Sequence, residues 1–372
     1  MEKLKIKLEK WANGGYALGH HDGHAVFVTG GIPGELVEIS LEKQGKKEWF
    51  GTVTEVLEPS SERIASDCEV YQICGGCSFR HITYAKEIEV KKSLLSDMFP
   101  NESKWLEVIT GAESHYRNNV QWQNVNKSIG FFSKQTHQIV EKSQSLCLNL
   151  DKRLLWKNLD PRLKEKWIKQ KAIHLRLSEQ GIVNYEKEVS KFDLNGMHLQ
   201  IPEKGFYQIN RFLISPWIEK IASWLSEQEK VLELFCGSGT IGIFLKQKIA
   251  ALYGIELHQK SIDFAKMNAK ANGVSHFIYE AIDLYQRPIP KTVDKYPTWI
   301  VNPPRAGLTN EIIKTMVKNR PSKIIYSSCN PSTLKRDIIE LKKNNYKITK
   351  LVLLDFFPRT PHYEVLTCLE RT

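Results

Sequence analysis

The sequence predicts three structural parts: a small β-barrel, a central α+β region and a C-terminal doubly wound α/β domain. Residues 1–58 break into short strands between glycine-rich turns, and residues 67–205 mix short strands and charged helices around a cysteine cluster. From residue 206 onward, strands and helices alternate regularly. Alternation of that kind builds a parallel sheet with helices on both faces.

The first part holds nine of the 22 glycines. "KLKIKLEKW", "AVFVTGG", "ELVEISLEK" and "WFGTVTEVLE" read as strands, with "ANGG" and "HHDGH" as turns. Four or five strands in so short a span predict an OB-like barrel. "PSSERIAS" (59–66) reads as a linker. The central part, 67–205, opens with three cysteines and a helix, "YAKEIEVKKSLLSDMF". Short strands follow ("NNVQWQNV", "KSIGFFS", "IHLRLSE", "GIVNYE"), with a second helix, "DPRLKEKWIKQ". The last part, 206–372, starts with the helix "SPWIEKIASWL". It then alternates "KVLELF", "TIGIFLKQKI", "AALYGIEL", "QKSIDFAKMNAKANG", "HFIYEAID", "TWIVN", "EIIKTMVKN", "KIIYSS" and "PSTLKRDIIELKKNN". "KLVLLDFF" and "HYEVLTCLE" close it as an antiparallel pair expected at the edge of a Rossmann-like sheet.

Composition narrows the function classes. Hydrophobic residues make up 41%, too many for a disordered chain. Lys and Arg outnumber Asp and Glu by 53 to 42, a net charge of +11, which points to a polyanionic partner such as nucleic acid. No apolar run approaches the ~20 residues a membrane span needs. "MEKLKIKLEKW" alternates as a strand does and is unlike a signal peptide, so a cytoplasmic protein without a membrane partner is expected. In that reducing compartment the seven cysteines are expected to be thiols, metal ligands or catalysts rather than disulfides.

"LELFCGSGTIG" lies between the first regular strand and its helix. Gly237 and Gly239 permit a tight turn and a close backbone approach to a ligand. The loop lacks the Gly-Lys-Ser/Thr of a P-loop, which disfavours a triphosphate. Glu256 ends the next strand, 19 residues after Gly237, where an acid can accept both hydroxyls of a nucleoside ribose. NAD and S-adenosylmethionine both carry such a ribose. The loop is read as the methyl-donor variant, for S-adenosylmethionine.

"CEVYQICGGCSF" supplies Cys68, Cys74 and Cys77, and Cys147 in "SQSLCLNL" is the remaining cysteine outside the α/β domain. Four thiolates suit zinc or an iron–sulfur cluster. Spacing does not decide between them, although a single C-x-x-C pair favours a cluster. Cys368 lies mid-strand and Cys236 in the glycine loop, and both read as packing residues. Cys329, in "IIYSSCNPSTL", sits where a strand opens into a loop, the end of an open α/β sheet at which ligands bind.

Together these segments resemble the bacterial RNA 5-methyluridine methyltransferases that carry an iron–sulfur cluster, over essentially the whole chain. Residues 1–58 resemble a TRAM-type RNA-binding barrel. "GFYQIN" (205–210) is similar to that family's donor-contacting segment, which makes Gln208 a cofactor residue. "LELFCGSGT" and Glu256 match its cofactor loop, which adds Phe235 and Gly237; "NPPRAG", "SSCNPSTL" and "FPRTPHYE" match its late motifs. The resemblance implies 4Fe–4S ligation by Cys68, Cys74, Cys77 and Cys147, with Cys329 as nucleophile and Glu364 as general base. His362 is the runner-up base. The chemistry explains the pair: thiolate addition at uracil carbon 6 makes carbon 5 nucleophilic toward the sulfonium methyl, and a base must then remove the carbon-5 proton. The target base must be flipped out to be reached.

The sequence departs from the family at Asn302, where many members carry Asp before Pro-Pro-Arg. Asn302 is still assigned to the cofactor site. Asn-Pro-Pro also marks enzymes that methylate exocyclic amino groups. The resemblance implies a uridine of 23S ribosomal RNA as target, with no obligate protein partner. Transfer RNA uridine 54, an amino-group methyltransferase and a non-catalytic RNA-binding factor are the alternatives.

Overall fold

The computed structural model describes residues 3–134, 136 and 138–372. Five strands, β1 (Lys3–Ala12), β2 (Tyr16–His21), β3 (His24–Thr29), β4 (Leu36–Gln44) and β5 (Glu48–Glu58), close a barrel in the order β1-β2-β3-β5-β4. Its interior follows from the two-residue alternation of the strands: Ile6, Leu8, Val26, Val28, Val37 and Ile39 point in, while Lys5 and Lys7 stay exposed. Gly19 permits the closure, since a Cβ there would stand 2.5 Å from the Lys7 carbonyl oxygen.

The cysteine segment follows and leads into α1 (Tyr84–Met98) and the short strand β6 (Glu107–Ile109). Next come β7 (Asn119–Val125), β8 (Ser128–Phe132), β9 (Ile139–Val140), α2 (Ser143–Leu146), α3 (Pro161–Trp167), β10 (Ala172–Ser178) and β11 (Gly181–Asn184). These strands form a sheet in the order β11-β10-β7-β8-β9, packed on Trp122, Leu154, Trp167 and Ile173. Strands β12 (Ser190–Leu194) and β13 (Met197–Ile201) pair as a hairpin.

The remaining elements are α4 (Ile214–Ser223), β14 (Glu229–Leu234), α5 (Thr240–Phe244), β15 (Ile249–Glu256), α6 (Gln259–Ala271), β16 (Ile278–Ala281), β17 (Thr298–Val301), α7 (Asn310–Asn319), β18 (Lys323–Ser328), α8 (Pro331–Lys342), β19 (Tyr346–Leu354) and β20 (Glu364–Arg371). They make an eight-stranded sheet in the order β16-β15-β14-β17-β18-β20-β19-β6. The first five of these strands run parallel, and β20 is antiparallel to both β18 and β19. Apolar clusters cover both faces; Leu95 of α1 and Phe99, the residue just after it, join Ile338 and Leu341 of α8 on one of them.

The structure differs from two sequence expectations. The antiparallel pair is not the sheet edge, because β6 pairs in parallel with β19 and extends the sheet with residues from the central part. The helix expected over "TIGIFLKQKI" ends at Phe244. Leu245 and Ile249 are both buried, so the chain turns sharply, with Lys248 N–H donating to the Leu245 carbonyl, before entering β15.

Helix α1 and the segment before β20 meet on a buried ionic group. Lys91 Nζ, 1% exposed, donates to Glu87 Oε1 and Asp355 Oδ1, both at 2.7 Å. Tyr84 donates to the other Asp355 oxygen at 2.8 Å, and the Arg359 backbone N–H donates to Glu87. This group pins residues 355–359, which lead into β20, against α1. Among the described residues no helix is long and apolar enough to cross a membrane.

Candidate functional site

The glycine loop begins where β14 ends. Phe235, Gly237 and Gly239 all take positive φ angles (+62°, +55° and +80°), so the loop bends back before α5. Above Gly237 nothing lies within 4 Å of where a Cβ would stand, which leaves room for a ligand; at Gly239 a Cβ would press on the Tyr279 hydroxyl at 3.0 Å. Parallel pairing of Leu234 with Ile255 places Glu256 beside the loop. Its carboxylate accepts from the backbone N–H groups of Gly237 (3.1 Å), Leu257 (2.8 Å) and His258 (3.3 Å), which fixes its direction. Pairing of Leu234 with Val301 sets Asn302 at the same level of the sheet as Phe235. The Phe235 ring lies 6.1 Å from Tyr285, itself 43% exposed. Gln208 is nearly buried, and its backbone is clamped by Asn118 Nδ2, which donates to the Gln208 carbonyl at 2.8 Å. The Gln208 side-chain amide makes no hydrogen bond among the described residues, and none links it to the glycine loop.

Cys329 and Glu364 come together through strand direction. β20 runs antiparallel beside β18, with Ser328 opposite Val365, so the start of one strand lies next to the end of the other. Cys329 is half-buried, one residue before Asn330, the N-cap of α8, whose side chain accepts from Ser332 N–H. A helix N-terminus favours a thiolate. Glu364 is 3% exposed. Burial pushes its carboxyl up to about 7, against the pull of Ser327, whose Oγ donates to Glu364 Oε1 at 2.7 Å. Burial and the Glu364 charge raise the Cys329 thiol, while the charge and hydrogen bond of Arg305 lower it. His362 stands close by; burial and then the charges of Arg305 and Lys91 depress it.

Arg305 and Ser327 were missed from sequence. The only signal for Arg305 was its place in "NPPRAG". Its loop is gripped by α8: Asn330 Nδ2 and Thr333 Oγ1 donate to the Arg305 carbonyl at 3.0 and 3.2 Å, and Arg336 donates to the carbonyls of Ala306 and Leu308, both at 3.0 Å. Gly307, at φ +76°, lets the loop close over Asp337.

The four cysteines of the central part line one cavity of about 390 Å³, together with Arg80, Arg117, Lys134 and Asn149. Arg80 Nε and Asn149 Nδ2 donate to Cys77 Sγ at 3.4 and 3.3 Å. The Cys74 loop is tied to the end of β8, with Gly75 N–H donating to the Phe132 carbonyl at 3.1 Å. Burial pushes the Cys68 and Cys74 thiols up, and Cys147 to about 11. Among the described residues no three His, Cys, Asp or Glu side chains are grouped as one metal ion needs. A tetrahedral zinc site would hold its sulfurs about 3.8 Å apart, given a Zn–S bond of about 2.3 Å. Four thiols around a roomy cavity with cationic walls fit a polynuclear iron–sulfur group better than one ion.

Residues 288–372 match the family model described as tRNA (Uracil-5-)-methyltransferase, and residues 215–324 match the Methyltransferase small domain. An uncharacterized RNA methyltransferase of Leptospira interrogans (serovar copenhageni) is 35% identical over 394 residues, covering 99% of this chain and 95% of that protein. This chain belongs to the RNA uracil-5-methyltransferase family. As a member of it, the chain is an enzyme that uses S-adenosylmethionine to methylate carbon 5 of uracil in RNA. The 23S rRNA (uracil(1939)-C(5))-methyltransferase of Marinomonas posidonica is 26% identical, covering 94% of this methyltransferase and 91% of its own length. Among solved structures, the Pyrococcus abyssi tRNA (uracil-54, C5)-methyltransferase with S-adenosyl-L-homocysteine shares the fold at a TM-score of 0.76 and 22% identity, covering 98% of this chain and all of that one. The barrel and the α/β sheet are therefore the architecture of a methyltransferase, and the amino-group reading of Asn-Pro-Pro is set aside.

Proposed function

We propose that this enzyme methylates one or more uridines of 23S ribosomal RNA in the cytoplasm, with Cys329 and Glu364 as its catalytic residues. One observation carries the reading of the chemistry: the antiparallel start of β20 brings a carboxyl that titrates near 7 beside a thiol at a helix N-terminus. The Cys329 thiolate adds to uracil carbon 6, and the C5–C6 π electrons then form the bond to the donor methyl, with S-adenosylhomocysteine leaving. Glu364 takes the carbon-5 proton, the C5–C6 double bond re-forms and the thiolate is expelled. The net reaction releases one proton, which Glu364 passes to solvent. Arg305 holds the thiol toward its ionised form.

Glu256 is assigned to the donor ribose and the open space above Gly237 to its backbone-contacting face. Phe235, Gln208 and Asn302 complete the cofactor site. The cavity of Cys68, Cys74, Cys77 and Cys147 is assigned to a 4Fe–4S cluster, with Arg80, Lys134 and Arg117 offsetting its negative charge. Methyl transfer moves no net electrons, so the group is read as structural. The barrel is assigned to RNA. Tyr16, Phe27 and Phe50 form a run of edge-on and stacked rings, and Gly15 next to them packs on Pro361, three residues before Glu364. Partly exposed aromatics beside Lys43 suit stacking of unpaired bases.

The test is to map 5-methyluridine in the ribosomal and transfer RNA of a strain lacking the gene, then restore it with purified enzyme. Loss confined to 23S RNA is expected. Loss from transfer RNA alone would overturn the target assignment while leaving the chemistry intact.

A further inference from the structure

Ser327 is 1% exposed and is the residue before the last of β18. Its hydroxyl lies between two side chains. Trp217 Nε1, from α4, donates to Ser327 Oγ at 3.1 Å, and Ser327 Oγ donates to Glu364 Oε1 at 2.7 Å. Trp217 is 2% exposed and packs edge-on against Phe356 at 6.1 Å. An indole N–H can only donate. It therefore occupies an acceptor position on Ser327 and leaves the single serine hydrogen for the carboxyl group. Oε2 of Glu364 has no hydrogen-bond partner among the described residues.

We propose that Trp217 and Ser327 form a donor relay that stabilises the charged form of Glu364 and aims its free oxygen at the substrate, with Ser327 a positioning residue for the carbon-5 proton transfer. The proposal rests on the reading of Glu364 as the general base. A buried carboxylate without a hydrogen bond is strongly disfavoured, and a donor to the charged form offsets that. The Ser327 hydrogen bond lowers the proton affinity of Glu364 against the larger effect of burial. With Oε1 tied to the relay, Oε2 is the atom left to take the proton. Ser327 lies two residues before Cys329, and the carboxyl it holds is near enough for its charge to act on the Cys329 thiol, so relay and nucleophile meet at one place.

The experiment measures tritium release from RNA labelled at uracil carbon 5, at saturating S-adenosylmethionine, across pH. Activity needs ionised Glu364, so the wild-type rate rises with pH through a limb. Ser327→Ala should move that limb up by about one pH unit, since a hydrogen bond to a charged group is lost. The rate at the wild-type midpoint then falls several-fold and recovers at higher pH. Ser327→Thr keeps the hydroxyl and should restore the wild-type limb. Trp217→Phe should shift the limb in the same direction by less, and it gives an independent reading if alanine at 327 impairs folding. An unmoved limb in Ser327→Ala and Trp217→Phe, or a loss uniform across pH, overturns the relay. Glu364→Gln separates the two readings. If it releases tritium with the wild-type limb, the base assignment itself is wrong. If it stops release while Ser327→Ala leaves the limb in place, only the relay fails.

Discussion

Glu364 carries a cost that its chemistry requires. Its carboxyl titrates near 7 in the folded protein against an ordinary value of 4.5. The folded state thus binds this proton more tightly than the unfolded state. The associated stability is fully present below about pH 4.5 and is lost as pH rises through about 7, a difference of about 3 kcal/mol. Glu364→Gln should escape that part of the loss, so the Tm of the variant should fall less between pH 5 and 8 than that of the wild type, with buried Glu87 and Glu233 still contributing a decline. The same variant keeps addition and methyl transfer but blocks elimination. Enzyme covalently bound to methylated RNA should accumulate as a slow band on a denaturing gel. Cys329→Ala should give no band, alone or combined with Glu364→Gln, because the blocked step is never reached. Both residues were legible from local motifs, "SSCNPSTL" and "FPRTPHYE". Ser327 and Arg305 were not: the role of Ser327 depends on β20 entering between β18 and β19, and that of Arg305 on α8 holding the loop after β17 against the end of β18, arrangements that no short window encodes.

At the scale of elements, the barrel and the parallel strands were readable because alternation and buried runs are strong local signals. Strand β6 was not, since three residues hold no period and its partner lies far along the chain. The end of α5 was missed for a related reason: where a helix stops depends on where the next strand must start. The barrel's aromatic run gives a prediction of its own. Phe50→Ala removes one stacking ring, which is worth about 1–3 kcal/mol per base. RNA affinity should fall about 5- to 150-fold while S-adenosylmethionine affinity holds. Titrations at several salt concentrations should show an unchanged salt slope, because no phosphate contact is lost. In the cysteine segment, Cys147→Ser removes one of the four thiols on the shared cavity. Anaerobically purified wild type should be brown and contain iron, and the variant should lose most of both. Stoichiometric zinc without iron in the wild type would refute the cluster.

Across the whole molecule, the buried group of Lys91, Glu87 and Asp355 joins parts that composition alone would separate. Removing the cation leaves two buried carboxylates with only the Tyr84 hydroxyl, the Arg359 backbone N–H and the Arg359 guanidinium at 3.9 Å as partners, so Lys91→Met should cost about 3 kcal/mol in chemical denaturation. Because residues 355–359 lead into β20, the same change should also slow tritium release by loosening the approach to Glu364.

The Lys91–Asp355 bond spans 264 residues, and β6 finds its partner β19 across a similar stretch. A ribosome delivers α1 and β6 long before either partner exists. Until the last strands emerge, α1 carries a lysine and a glutamate destined for burial, and β6 has an unpaired edge. Folding of these parts therefore finishes only after β19 and β20 have emerged, through contacts of very high sequence separation, which are slow to form and leave apolar surface open meanwhile. Truncation from the C-terminus should abolish soluble expression even when the barrel and cysteine segment are retained in full.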